Sequence, residues 1–160
     1  LLISTYTRAD DLVKADTLSV GDTLPNLRFV TLDGKVLTTD SLKGKTTMFV
    51  FFATWCGPCL AELPHVQKEI WEKHYNNPNF VLLVIGREHT PEELEKFRKE
   101  NKYTFPIVPD VGRKIYSRFA QQLIPRSYLV DKNGKIIKSV IGFNKKDFEE
   151  TKKLIETALN

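Results

Sequence analysis

Two cysteines, one methionine and three histidines in 160 residues leave little material for several common chemistries. A disulfide scaffold of the kind that holds small secreted domains together needs several cysteine pairs, and this chain can make one. Long apolar runs are missing too: "MFVFFA" and "FVLLVIG" are far short of the roughly 20 residues that a membrane helix requires. No block of one charge sign occurs. The 24 lysines and arginines are interspersed with 20 acidic residues for a net charge of +4, a balance that argues against nucleic acid as a partner. There is no internal repeat and no low-complexity segment. The chain starts at Leu1 without the basic-then-apolar pattern of a signal peptide, so an export signal or lipid anchor ahead of Leu1 stays open.

What is present suits one domain. A hydrophobic content of 41% over this length supports a single core. The first stretch, "LLISTYTRADDLVKADTLSV", has no glycine or proline and weak periodicity, and reads as an N-terminal extension over 1–20, packed on the domain or partly disordered. The domain itself takes 21–160. It opens with "NLRFVTLDGKVLTT", alternating about Asp33-Gly34, a pair that suits a hairpin with a two-residue turn. "TTMFVFFAT" is apolar on both faces and reads as a central strand. From Cys59 to about Tyr75, Leu60, Leu63, Val66, Gln67, Ile70 and Trp71 recur at helical spacing, so a strand feeds a helix at the cysteines. "NFVLLVIG" is a second buried strand. Thr90, Pro91 and Glu93 supply an N-cap, a first-turn proline and a capping-box acid for the next helix. A short helix through Ile115 and Phe119, two strands about "DKNG" and a last helix from about Lys145 to Leu159 complete the chain. The order predicts an α/β fold: a mixed central β-sheet flanked by helices, preceded by a β-hairpin.

Both cysteines lie in "ATWCGPCLAELP", and three roles compete for them. A staple closing so short a loop gains only about 2 kcal/mol on the chain-entropy estimate. A closed zinc site needs two more ligands from His65, His74 and His89, and nine residues along one helix put His65 and His74 on opposite faces. No metal is expected, and each histidine reads as a surface side chain. A working dithiol fits better: cysteines three apart at a helix start are one turn from each other and can open and close with little backbone motion. The free N–H groups and positive dipole end there stabilise a thiolate. Cys56, earlier in the turn, is the expected nucleophile and Cys59 the resolving thiol. Gly57 permits the tight turn, Pro58 fixes φ at the helix entrance, and Trp55 offers an apolar surface on which a protein substrate could rest.

Here the residues resemble the thioredoxin superfamily. "WCGPC" at 55–59 is similar to its signature, and Pro64 stands where that family bends its active-site helix. In "LIPRSYLV", Ile124-Pro125 resembles the cis-proline position facing the dithiol, which implies that the Ile124 backbone pairs with a substrate strand. Arg126 then either meets an acidic substrate group or is an exposed strand residue. Where cytosolic thioredoxin carries a buried aspartate, this chain has Val50. The opening "VGDTLPNLRFVTLDGKVLTTDSLKGKTTMFVFFATWCGPC" is instead similar to the TlpA/ResA-like branch, whose glutamate three residues after the second cysteine is matched by Glu62. That carboxylate could tune the thiol or carry a proton, against the plainer reading of a solvated surface glutamate. Ala53 and Phe49 stand where a peroxiredoxin needs threonine and proline, so peroxidase is rejected.

The resemblance implies a thiol-disulfide oxidoreductase whose only redox group is its own disulfide, with no cofactor. It implies disulfide-containing protein substrates, apo-cytochrome c among those of the branch, and an upstream dithiol donor. The direction expected is reducing, because "GP" between the cysteines resembles reductants. By resemblance the location is the periplasm or cell envelope, with a membrane tether outside the given chain possible; a monomer is expected. The competing readings are a disulfide oxidase or isomerase on the same residues, and a non-catalytic redox sensor or metallochaperone on the same fold.

Overall fold

The computed structural model describes residues 16–160. The expectation for residues 1–15 of the extension lies outside the described residues. Asp16 makes a bridge to Ala120, and the N–H groups of Thr17 and Leu18 both donate to the Phe119 carbonyl, so residues 16–18 lie against the domain.

Strands β1 (Arg28–Val30) and β2 (Val36–Thr38) form an antiparallel hairpin. Its loop differs from the two-residue turn expected. Thr31 and Lys35 close a loop of three residues, with Gly34 at φ +83° and its N–H donating to the Thr31 carbonyl. A glycine in the left-handed region after a turn is what a three-residue loop requires. "DKNG" does the same: the Asp131 N–H donates to the Lys135 carbonyl and Gly134 sits at φ +80°.

The main sheet contains β3 (Thr46–Phe52), β4 (Phe80–Arg87), β5 (Ile107–Asp110), β6 (Arg126–Val130) and β7 (Ile136–Ile141) in the order β5-β4-β3-β6-β7. The pairs β3–β4 and β4–β5 are parallel, while β3–β6 and β6–β7 are antiparallel. All seven residues of β3 are buried, as a strand covered on both faces should be. Its alternation divides the core: Met48, Val50 and Phe52 face one side, Phe49 and Phe51 the other.

Helix α1 (Gly57–His65), helix α2 (Pro91–Asn101) and helix α4 (Lys145–Leu159) send Leu63, Leu94, Phe97, Phe148 and Ile155 to the first side. The hairpin and the short α3 (Tyr116–Phe119) cover the second with Phe29, Tyr116 and Phe119. Helices thus lie on both faces, but the three longer ones share one. Pro64 interrupts the α1 ladder by lacking the N–H that would reach the Leu60 carbonyl, and π winding follows over Val66–Trp71 before a last α turn, Glu72–His74. Leu60, expected on the apolar stripe, is 40% exposed. At the start of α2, Thr90 accepts from the Glu93 N–H as a cap should, but the Glu93 carboxylate turns to His89 and the Thr90 hydroxyl instead of closing the capping box.

Gly86, near the end of β4, matters for packing. A Cβ there would meet both methyl carbons of buried Leu94, at 2.6 and 2.7 Å. Gly86→Ala should therefore destabilise the fold by about 1–3 kcal/mol, read as a lowered denaturant midpoint; an unchanged midpoint would mean that α2 is free to move outward.

Candidate active site

The dithiol is built by the end of β3. After Phe52, the Cys56 N–H donates to the Ala53 carbonyl at 3.2 Å, and this turn delivers Cys56 as the N-cap of α1. Cys56 and Cys59 are joined as a disulfide with Cα atoms 5.2 Å apart. The Cys59 N–H points at the Cys56 sulfur, at 3.4 Å, so the sulfur occupies the acceptor position that an oxygen usually fills at an N-cap. Cys56 keeps 6% exposure and Cys59 none. Pro58 stands in the first turn, where its missing N–H loses no intrahelical bond.

The opposite wall is the start of β6. The Ile124–Pro125 peptide bond is cis, and the Ile124 carbonyl oxygen lies 3.9 Å from the Cys56 sulfur. Arg126 fits neither of its expected roles. It is fully buried: its Nε–H donates to the carbonyls of Gln122 and Leu123, and its Nη1 pairs with Asp16. It therefore holds the proline loop from behind, and no substrate group can reach it. Tyr116 adds a second tie, its hydroxyl donating to the Leu123 carbonyl at 2.6 Å.

Glu62 is no solvated surface residue. It is 3% exposed, and burial raises its pKa from 4.5 to about 8. Its Oε2 has no hydrogen-bond partner among the described residues. Beside it lies a cavity of about 10 Å³, lined also by Ser127, Asn144 and Asp147 and of the size that holds one water. Val50 is buried in an apolar setting, so a buried carboxyl does exist near the dithiol but comes from α1 instead of β3.

Two residues at the end of β4 complete the site, and the sequence reading missed both. His89, expected at the surface, is 6% exposed. Its Nε2 accepts the Thr54 N–H at 2.9 Å, which requires the proton on Nδ1, and Nδ1–H donates to Glu93 at 2.6 Å. That bond, first among its causes, lowers the Glu93 pKa. Arg87, also 6% exposed, has its guanidinium carbon over the rings of Tyr116 and Trp55, at 5.0 and 6.0 Å. Glu88 between them takes φ +68°, so the chain folds back to bring both side chains under Thr54 and Trp55. The available signal was topological: β3 and β4 are parallel, and side chains leaving the carboxyl ends of neighbouring parallel strands converge.

Trp55 is 68% exposed at the rim, and a shallow depression lined by Thr54, Leu60, Glu93 and Phe97 runs beside it. Among the described residues no three His, Cys, Asp or Glu side chains gather as a metal site, and no helix is long and apolar enough to cross a membrane.

An accessible sulfur at a helix N-terminus, backed by a second sulfur and faced by a cis-proline, is thiol-disulfide exchange machinery. The sequence model of the Redoxin family matches residues 19–158. The chain belongs to the Redoxin family. It is 30% identical to the thiol-disulfide oxidoreductase ResA of Bacillus cereus, over 88% of this chain and 77% of that protein. Among solved structures, a Bacteroides thetaiotaomicron protein provisionally assigned as a protein disulfide isomerase superposes with a TM-score of 0.87 and 34% identity, covering 91% of this chain and 92% of that one. The exposed lipoprotein thioredoxin Etrx1 of Streptococcus pneumoniae gives a TM-score of 0.68 and 26% identity, covering 81% and 99%. This Redoxin-family chain is a ResA-like thiol-disulfide oxidoreductase of thioredoxin type.

Burial of Glu62 has a measurable consequence. Its folded pKa lies above the ordinary 4.5, so its contribution to stability is fully present below 4.5 and is lost as pH rises through about 8. Stability of the oxidised protein should fall across that window with a slope of up to about 1.4 kcal/mol per pH unit from this group. Glu62→Gln should flatten the profile in denaturant melts between pH 5 and pH 8; equal slopes in both proteins would mean that the carboxyl ionises without penalty.

Proposed function

We propose that the protein reduces disulfides of protein substrates, with Cys56 as the attacking thiolate. The observation that carries the reading is the asymmetry of the two sulfurs: Cys56 is reachable from solvent and receives the Cys59 N–H, whereas Cys59 is wholly enclosed. The Cys56 thiolate attacks one sulfur of the substrate disulfide, forming a mixed disulfide and releasing the other sulfur as a thiolate. Cys59 loses its proton and attacks the Cys56 sulfur, which closes the Cys56–Cys59 bond and frees the second substrate thiolate. The substrate gains two electrons, and an upstream dithiol donor returns them to the protein. Glu62, one helical turn from Cys59 and with its pKa raised to about 8, is the group suited to take the Cys59 proton through its ionised fraction, ending as the neutral acid.

Substrate would lie as an extended strand against the Ile124 main chain ahead of Pro125, with Trp55, Gly57 and Pro58 as the facing rim. Main-chain pairing makes such binding tolerant of sequence. We assign the protein to the cell envelope as a monomer, with apo-cytochrome c or other envelope proteins as substrates; the likeness to an exposed lipoprotein thioredoxin supports that location. The likeness to a protein assigned as an isomerase favours a second reading, in which the same dithiol oxidises or shuffles disulfides.

The equilibrium reduction potential of the Cys56–Cys59 pair against glutathione and dithiothreitol buffers separates the two. A value near about −270 mV or below is expected, and one near about −120 mV would make the protein an oxidant. Insulin reduction should be lost in Cys56→Ser; full activity there would remove Cys56 from the mechanism.

A further inference from the structure

A guanidinium withdrawn from water without an acceptor is unfavourable, because each unpaired N–H forfeits its hydration. Arg87 is partly in that state near the dithiol. Its Nε is buried and unpartnered among the described residues, while its terminal N–H groups, which bond to no described residue, keep the remaining access to solvent. Neighbouring carboxylates make their hydrogen bonds elsewhere. Glu88, next in the chain, feels the Arg87 charge but bonds to Arg113, at 2.7 Å. Asp110, opposite Arg87 in the β4–β5 register, accepts the N–H groups of Ile115 and Tyr116 with its two oxygens. The rings of Tyr116 and Trp55 attract the cation but give its N–H groups no oxygen to bond.

The position of this group is as telling as its lack of a partner. Trp55 immediately precedes Cys56, and Tyr116 is hydrogen-bonded to Leu123, immediately before Ile124. Arg87 therefore lies against Trp55, which leads into Cys56, and against Tyr116, which ties down the segment leading into Ile124. Trp55 and Leu123, 68% and 40% exposed, present apolar surface on those two segments. An extended substrate pairing along Ile124 would carry the side chains flanking its cysteine across that surface, and a carboxylate there would supply the acceptor that Arg87 lacks. A net charge of +4 favours approach of acidic segments.

We propose that Arg87 is a carboxylate subsite of the substrate groove, receiving the side chain of an aspartate or glutamate that flanks the target cysteine. The inference rests on the reading of Cys56 as the attacking cysteine. It adds charge selection to otherwise sequence-tolerant main-chain binding.

The test uses two disulfide-closed peptides, acetylated and amidated so that no terminal carboxylate competes, identical except for glutamate or glutamine on both sides of each cysteine. The rate at which each oxidises the reduced protein is followed by tryptophan fluorescence. The glutamate peptide should react about tenfold faster, a ratio equal to about 1.4 kcal/mol. Arg87→Gln should bring the ratio to about one, and Arg87→Lys should leave it between the two. Because the readout is a ratio, any general loss of activity in a variant cancels. A ratio near one in the unmodified protein, or a preference that survives Arg87→Gln, overturns the subsite while leaving the exchange reaction intact. Failure of both peptides to react would overturn the reductase reading and the subsite with it.

Discussion

The structure turns on a sulfur standing where a helix expects an oxygen. The first N–H groups of α1 have no intrahelical acceptor, and Cys56 at the N-cap answers one of them through its Sγ. A neutral thioether-like sulfur is a weak acceptor, whereas a thiolate in that position gains from both the N–H and the helix dipole. Folding α1 onto the sheet therefore places the Cys56 sulfur, once the disulfide is opened, where a thiolate is favoured over a neutral thiol. The seven buried residues of β3 fix where the helix begins, and Pro58 and Gly57 let it begin abruptly.

The remaining machinery keeps that geometry in place from two directions. On one side the end of β4 folds back so that His89 takes the Thr54 N–H and Arg87 lies under Trp55. On the other, Arg126 collects the carbonyls of Gln122 and Leu123 behind the cis-proline, and Asp16 neutralises its charge. A buried ion pair of this kind is poor evidence for stability, since desolvation offsets much of the attraction. Its contribution here is to orient the two carbonyls that precede Ile124. Glu62 stands apart from these ties, a carboxyl whose burial raises its pKa to about 8.

Features set by neighbouring residues were legible in the sequence. The strand-to-helix junction, the cysteine pair, the N-cap at Thr90 and the limits of α4 all follow from local pattern, and the cis-proline followed from a family motif. What escaped depends on contacts between segments far apart in the chain. Glu62 is buried because β6, β7 and the start of α4 cover one face of α1, and nothing within "CLAELP" shows that. His89 reads as a polar residue before a helix until the parallel register sets it under Thr54, 35 residues earlier. Arg126 looks like an exposed strand residue because its partner, Asp16, is 110 positions away. The loop of the first hairpin was misjudged by one residue, since Asp-Gly suits both a two-residue turn and the three-residue loop that closes with glycine at positive φ.

The central claim is the order of attack, Cys56 first and Cys59 second, and trapping the intermediate tests it most directly. Reduced Cys59→Ser would be incubated with a disulfide-containing protein such as insulin, quenched with acid, and analysed by mass spectrometry after digestion. The account predicts a mixed disulfide that accumulates at Cys56. Failure of Cys59→Ser to accumulate one, together with a stable adduct on Cys59 in reduced Cys56→Ser, would reverse the roles and contradict the site as described.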